Sequence, residues 1–285
     1  MQRIGIVGCG LMGSGVAEVC ARAGRDVIVC DSDDAALAQG RVRIERSLER
    51  ALKSGKVSAA DRESAFARIR FATDLEELAD RELLIEAVHE NEAAKIAVFE
   101  QLNELVQDAN AIFTSNTSSI PIMKLAVATG RPAQVCGLHF FNPVPVLDLV
   151  ELVPSLLTSD ETAERVEKFA AEILGKHVIH SKDRAGFIVN ALLIPYILSA
   201  VRMAESGFAL PADIDAGMVR GCNHPMGPLA LADLIGLDTT MAVAESLYKE
   251  FKEPLYAPPP LLSRMVEAGV LGRKTGRGFF EYLPR

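Results

Sequence analysis

Apolar residues fall in short runs through the first two-thirds of the chain and in broad helical patterns after that. Residues 3–7, 27–30, 83–88, 111–115 and 135–140 are brief, β-rich apolar runs of strand length. Between them, residues 12–22 and 92–106 carry apolar positions at helical spacing, so strands and helices alternate. Alternation of this kind predicts a mostly parallel sheet whose ligands bind beyond the carboxyl ends of its strands. Residues 145–153 are too apolar for a surface loop and too short for a globular helix, which predicts an interior strand. Side chains alternate across a strand, so that strand would put Glu151 on the same face as Leu147 and Leu149. The stretch 36–70 is too long for a loop and is patterned as a helical insertion. After Asp183 the strand signals stop, and helices are predicted over 187–205, 212–221, 229–235, 239–252 and 261–268. The first of these is apolar nearly all round, which implies burial in a core or a subunit interface. Pro195 inside it leaves the carbonyl of Ala191 free, so a kink is expected there, one turn beyond Asn190.

The first strand, helix and second strand enclose the run GCGLMG, with Gly8, Gly10 and Gly13 in G-x-G-x-x-G spacing and Leu11 and Met12 between them. Gly8 permits the tight turn, Gly10 allows a pyrophosphate to approach the backbone, and Gly13 lets helix and strand pack closely. The pyrophosphate then meets the free N–H groups and positive dipole end of the helix. Asp31, at the end of the second strand, is placed to accept from a ribose hydroxyl and would repel a 2′-phosphate, which favours NAD over NADP. The expected architecture is therefore α/β: a Rossmann-type doubly wound, mostly parallel sheet with a helical insertion over residues 1–183, followed by an all-α domain over 184–285.

Polar residues gather after three successive strands: Glu90, Asn91 and Lys95; Asn116 to Ser119; His139 and Asn142. Caps for the following helices would explain some of them, but three such clusters at ligand-binding strand ends point to a site. A carboxylate sharing a face with two leucines needs a partner, because an isolated buried charge is costly. His139 lies twelve residues before Glu151, across a turn marked by Pro143 and Pro145. An imidazole held by a buried carboxylate is a general acid/base unit; backbone amides satisfying Glu151, with an unrelated loop histidine, is the alternative. In the insertion, Arg43, Arg46, Arg50 and Lys53 form a basic stripe with Ser47 beside it, suited to an anionic ligand tail. Arg41, Glu45, Glu49 and Lys53 fit a solvated salt-bridge ladder equally well. His224, in a proline-flanked turn, reads as structural.

Composition removes whole classes of function. A chain of 285 residues fits two domains, 49% apolar and 24% charged residues are typical of soluble globular proteins, and a net charge of -8 argues against nucleic acid. No apolar run reaches the length of a membrane helix; residues 185–201 stop short and contain Asn190 and Pro195. A strand begins almost at Met1 with no targeting pattern before it, and the five cysteines form neither a CxxC pair nor an even set. Reduced thiols in a cytoplasmic setting, with neither a disulfide framework nor a bound metal, are expected.

The stretches GIVGCGLMGSGVA (5–17), SNTSSI (115–120), GLHFFNPVPVLDLVEL (137–152), KDRAGFIVN (182–190), HPMGPLALADLIGLDT (224–239) and GRKTGRGFFEY (272–282) resemble the short-chain L-3-hydroxyacyl-CoA dehydrogenases. The resemblance spans nearly the whole chain. It implies reversible, NAD-dependent oxidation of an (S)-3-hydroxyacyl-CoA, 3-hydroxybutyryl-CoA in bacterial members; the apolar surface of the helical domain separately predicts a homodimer. The resemblance further implies His139 and Glu151 as the catalytic pair, with Ser118 and Asn190 touching substrate. NAD contacts fall on Gly8, Gly10, Leu11, Met12, Gly13, Asp31, Glu90, Lys95, Ser118, Asn142 and Lys274. Substrate contacts fall on Ser47, Lys53, Lys95 and Ser118, although a lysine that relatives use there has no unambiguous match, Ser54 lying between Lys53 and Lys56. Other classes remain open: a dehydrogenase of free sugar or hydroxy acids, or a non-enzymatic NADH-binding protein.

Overall fold

A computed structural model describes residues 1–282 and divides them into two compact units, Met1–Arg184 and Ala185 onward. In the first, strands β1 (Arg3–Val7), β2 (Asp26–Cys30), β3 (Ile69–Ala72), β4 (Leu83–Glu86), β5 (Ile112–Ser115), β6 (Val135–Phe140), β7 (Leu149–Pro154) and β8 (His177–His180) make one sheet. Their order is β3-β2-β1-β4-β5-β6-β7-β8. All neighbours pair parallel except β6 and β7, which form an antiparallel pair. Helices α1 (Leu11–Arg22), α2 (Asp34–Lys53), α3 (Ala59–Ala67), α4 (Glu92–Leu105), α5 (Ile122–Val127) and α6 (Asp160–Lys168) flank it. The strand order reverses between β1 and β4, the topological switch point where ligands enter sheets of this kind. Ile4, Ile6, Val27, Val29, Leu83 and Ile85 pack there with no or almost no exposure against α1 and α2.

The insertion is a pair of helices, α2 and α3. Asp33 caps α2 by accepting from the Ala35 amide, and Ser58 with Asp61 closes a capping box on α3. Residues 36–70 are not wholly helical, however: β3 begins at Ile69 and pairs with β2. A second departure is the strand expected over 145–153, which begins only at Leu149. The preceding residues form a surface loop in which Val146 is 63% and Leu147 41% exposed, so Leu147 does not share the face of Glu151. Two prolines within three residues delay the start of pairing because proline donates nothing to a ladder.

The second unit is all helix: α7 (Val189–Glu205), α8 (Pro211–Gly221), α9 (Pro228–Ile235), α10 (Leu237–Phe251) and α11 (Pro260–Glu267). Helix α7 starts two residues later than its apolar pattern suggests, because Gly186 and Phe187 both adopt left-handed backbone conformations. It continues through Pro195 and is not buried all round: Ile194, Ile197, Leu198 and Val201 enter the core, while Leu192 is 72% exposed. Two buried acids fasten this unit. Asp215 accepts from the Leu229 and Ala230 amides at the start of α9, and Asp233 accepts from the Phe279 and Phe280 amides and the Tyr282 hydroxyl.

Candidate functional site

The glycine loop is built by contact. An added Cβ on Gly13 would lie 1.8 Å from the Gly8 carbonyl oxygen, and one on Gly8 would strike the backbone of Ala87 and Val88. Gly8 also has a φ of 101°, a conformation side chains rarely adopt. Gly10 differs: its added Cβ would meet nothing within 4 Å, so the backbone there faces open space. No side chain caps the start of α1 and no acid occupies its first turn, which leaves the amide end open to an anion. Asp31 accepts from the Cys9 amide at 2.7 Å and so ties the end of β2 to the loop. Beside it, a cleft of about 540 Å³ is lined by Gly8, Asp31, Ser32 and Val88. Open glycine, free amides and a carboxylate at the strand end fit a dinucleotide.

Cys9, in the same loop, is a buried thiol. Burial and the nearby Asp31 push its thiol up to about 11, so the thiolate is scarce near neutrality.

Three strands away, β6 and β7 run antiparallel with His139 directly opposite Glu151. The His139 Nδ1 lies 2.7 Å from the Glu151 Oε2, and Glu151 has no exposure. Facing strand positions on one side of a sheet bring their side chains together, which is how twelve residues of separation become one contact. Nε2, the other ring nitrogen, is 3.2 Å from the Ser118 hydroxyl, and Phe141 packs edge-on to the imidazole. Asn116 accepts from the Phe140 amide at 2.8 Å and thereby joins the ends of β5 and β6.

The loop that presents Ser118 is held from behind by Glu90. One carboxylate oxygen of Glu90 accepts from the Thr117 hydroxyl, the amides of Ser118 and Ser119, and the Ser119 hydroxyl. Burial opposes the charge on Glu90, but the Lys95 ammonium and these donors outweigh it and hold the carboxyl below its ordinary range. Lys95 is 1% exposed, with its Nζ 2.6 Å from Glu86 and 3.4 Å from Glu90. Its ammonium therefore faces two carboxylates and the Val88 carbonyl. Glu86 also accepts from the Val88 amide and the Ser115 hydroxyl. Sequence reading overlooked Glu86, although a lone acid at the end of an apolar strand was its signal.

A second cleft, about 290 Å³, runs between the start of α1, α2 and the loop after β6. Leu11, Arg46, Ser47, Arg50 and Asn142 are among its walls. Arg43 turns inward, donating to the Cys9 carbonyl and the Ser14 hydroxyl. The ladder reading holds on the outer face, where Arg41 pairs with Glu45 and Lys53 with Glu49. Lys53 is outside the cleft lining, its side chain 75% exposed. In the second unit, Lys274 is ion-paired with Asp238 and Asn190 lies half-buried in the first turn of α7. Among the described residues no cluster could hold a metal ion, and no helix is long and apolar enough to cross a membrane.

A family model described as 3-hydroxyacyl-CoA dehydrogenase, NAD binding domain, matches residues 3–184, and its C-terminal-domain counterpart matches residues 186–282. The chain is 57% identical to a 3-hydroxybutyryl-CoA dehydrogenase of Mycobacterium tuberculosis, covering 99% of both. Its structure is similar to the crystal structure of M. tuberculosis FadB2, with a TM-score of 0.98, 56% identity and 99% of each chain covered. It is similar also to (S)-3-hydroxybutyryl-CoA dehydrogenase PaaH1 from Ralstonia eutropha, with a TM-score of 0.92, 48% identity and 99% of each chain covered.

Proposed function

The chain belongs to the 3-hydroxyacyl-CoA dehydrogenase family, NAD-dependent oxidoreductases of 3-hydroxyacyl-CoA, and from that premise we propose that its substrate is 3-hydroxybutyryl-CoA and that His139 and Glu151 carry the proton chemistry. The observation that carries the mechanism is the chain of contacts from Glu151 through both nitrogens of His139 to Ser118. NAD, when bound, supplies the acceptor for the hydride of C3. Its contacts would come from the Gly8–Gly13 loop with Leu11 and Met12, and from Asp31, Glu90, Ser118 and Asn142.

In the oxidative direction His139 Nε2 takes the proton of the C3 hydroxyl; in the reductive direction the imidazolium returns it. Glu151 accepts from Nδ1–H, which fixes the tautomer that leaves Nε2 basic, and it stabilises the cation once formed. Help of this kind is worth about 10²–10⁴-fold in rate. Ser118 and Asn190 act as neutral donors to substrate oxygens, where a preorganised hydrogen bond favours developing negative charge. Sequence similarity to the M. tuberculosis 3-hydroxybutyryl-CoA dehydrogenase supports the four-carbon substrate.

Exposed Leu192, Phe208 and Leu210 support a homodimer formed through the second unit, to be checked by light scattering. Five unpaired cysteines support a reducing, cytoplasmic setting. The deciding assay mixes the protein with NADH and a series of 3-oxoacyl-CoA esters and follows the nicotinamide absorbance. Fastest loss with acetoacetyl-CoA is expected. Turnover confined to long acyl chains would remove the four-carbon assignment, and activity only on a free sugar or hydroxy acid with NAD would remove the thioester.

A further inference from the structure

Cys9, the residue between the first two glycines of the loop, is held from three sides. Its amide donates to Asp31 at 2.7 Å, and its carbonyl accepts from the Arg43 Nη2 at 2.6 Å. On the third side, an added Cβ on Gly40 would lie 2.1 Å from the Cys9 sulfur, so α2 runs hard against the residue. The Arg43 Nε reaches the Ser14 hydroxyl at 3.4 Å, and that hydroxyl donates to the Gly10 carbonyl at 2.6 Å. Two of the three restraints on Cys9, Arg43 and Gly40, thus come from the helical insertion and not from β1, α1 and β2, which carry the glycine pattern.

The direction of the Cys9 carbonyl sets that of the next amide. The peptide bond from Cys9 to Gly10 is trans, so its C=O and N–H point opposite ways. With the carbonyl drawn onto Arg43, the Gly10 amide is turned away from Arg43. No acceptor meets that amide among the described residues, and the space over Gly10 is open. A flipped peptide would present its oxygen to the open side, and an anion there would lose a donor and gain a repelling dipole.

We propose that Arg43 is a positioning residue for NAD: it holds the Cys9 carbonyl back and so keeps the Gly10 amide presented to the pyrophosphate. The proposal rests on the NAD-dependent reading above and needs no contact between Arg43 and the cofactor. A guanidinium suits the role because its charge strengthens the bond to a carbonyl and its rigid fork reaches two groups at once. Gly40, three residues earlier on α2, permits the close approach.

The test measures cofactor binding as well as turnover. In Arg43→Met, which keeps most of the stem and removes every donor, the Kd for NADH by fluorescence titration should rise about 10-fold, the worth of one charge-assisted hydrogen bond. Arg43→Gln, whose amide ends near the place of Nε and falls short of the Cys9 carbonyl, should give the same rise. Arg43→Lys should give a smaller one. Affinity for ADP-ribose, which keeps the pyrophosphate and lacks the nicotinamide, should weaken in parallel, while kcat at saturating NADH should not fall. The Cys9 carbonyl is a neutral partner inside the protein, so the ratio of variant to wild-type Kd should be the same at about 50 and 500 mM salt. An unchanged Kd in either neutral variant, once folded, overturns the role. A ratio that collapses at high salt also overturns it, because Arg43 would then be a direct partner of the phosphates. So does a loss seen with NADH and not with ADP-ribose, or a rise in the KM for acetoacetyl-CoA with the NADH Kd unmoved. A wild type that binds neither NADH nor ADP-ribose overturns the cofactor reading itself.

Discussion

The first unit contains two buried carboxylates on neighbouring parts of one sheet, and only one of them belongs to the pair proposed to move a proton. Glu86 faces Lys95 at 2.6 Å and Glu151 faces His139 at 2.7 Å, and neither acid has more than 1% exposure. The partners decide the difference. An ammonium surrounded by Glu86, Glu90 and the Val88 carbonyl has spent its donors on the protein. An imidazole has two nitrogens, and fastening Nδ1 to Glu151 leaves Nε2 pointing at a serine hydroxyl and able to exchange a proton. Burial of an acid beside a base thus leads to different arrangements: the ammonium is enclosed by acceptors, whereas the imidazole links Glu151 to the Ser118 hydroxyl.

The contrast breaks most readily at His139. His139→Gln should lower kcat by about 10²–10⁴-fold while NADH affinity, read by fluorescence titration, stays close to wild type. Equal losses in both would place the ring in cofactor binding instead of proton transfer. Glu151→Gln should follow with a fall of about 10²-fold, since an amide neither selects the tautomer nor stabilises the imidazolium as a carboxylate does. A near-normal rate in a folded Glu151→Gln protein would remove the acid from the mechanism.

Lys95→Met sharpens the same comparison from the other side. Removing one member of a buried pair leaves its partner charged and dry, so a loss of about 3–5 kcal/mol is expected from the urea midpoint. His139→Gln should leave that midpoint within about 1 kcal/mol, because glutamine still offers Glu151 a donor. If Lys95→Met kept its midpoint and lost NADH affinity instead, Lys95 would be a ligand contact after all and the division of labour would fail.

Much of this arrangement is legible in the sequence, and the gaps have physical causes. The glycine loop, Asp31, and the His139–Glu151 pair are all set by local spacing plus one antiparallel register. Strands β3 and β8 escaped because they are four-residue edge strands carrying Arg70, His177 and His180, so no apolar run announces them. The apolar loop before β7 was misread as strand because hydrophobicity reports burial only on average, and Val146 and Leu147 are surface residues. The partners of Lys95 were hidden for a different reason. A lysine in the first turns of a helix looks solvent-facing until a neighbouring strand supplies Glu86, and that proximity is a property of the sheet order. The same holds for Arg43, one of four cations in a stripe, which the fold turns inward alone onto the Cys9 carbonyl.

The smallest expected effect concerns Glu90, which links the two pairs by joining Lys95 to the Ser118 loop. Its carboxyl is held below the ordinary carboxylate range in the folded protein: burial works against ionisation, and Lys95, the Thr117 hydroxyl and the Ser118 amide prevail. A depressed folded-state value means that ionised Glu90 stabilises the loop above the unfolded-state value, about pH 4.3 for a free glutamate. That contribution fades as pH falls through the lower, folded value. Protection of the Ser118 and Ser119 amides against hydrogen exchange, corrected for intrinsic rates, should therefore hold steady down to about pH 5 and then decline. Because Glu90 is 34% exposed, the decline should be local and leave the global unfolding midpoint little changed. Glu90→Gln should show reduced protection at neutral pH and no such dependence. Protection that stays constant to the acid limit in the wild type would mean that Thr117 and the backbone order this loop without the charge, and that the Lys95 pair has no reach into the serine that meets His139.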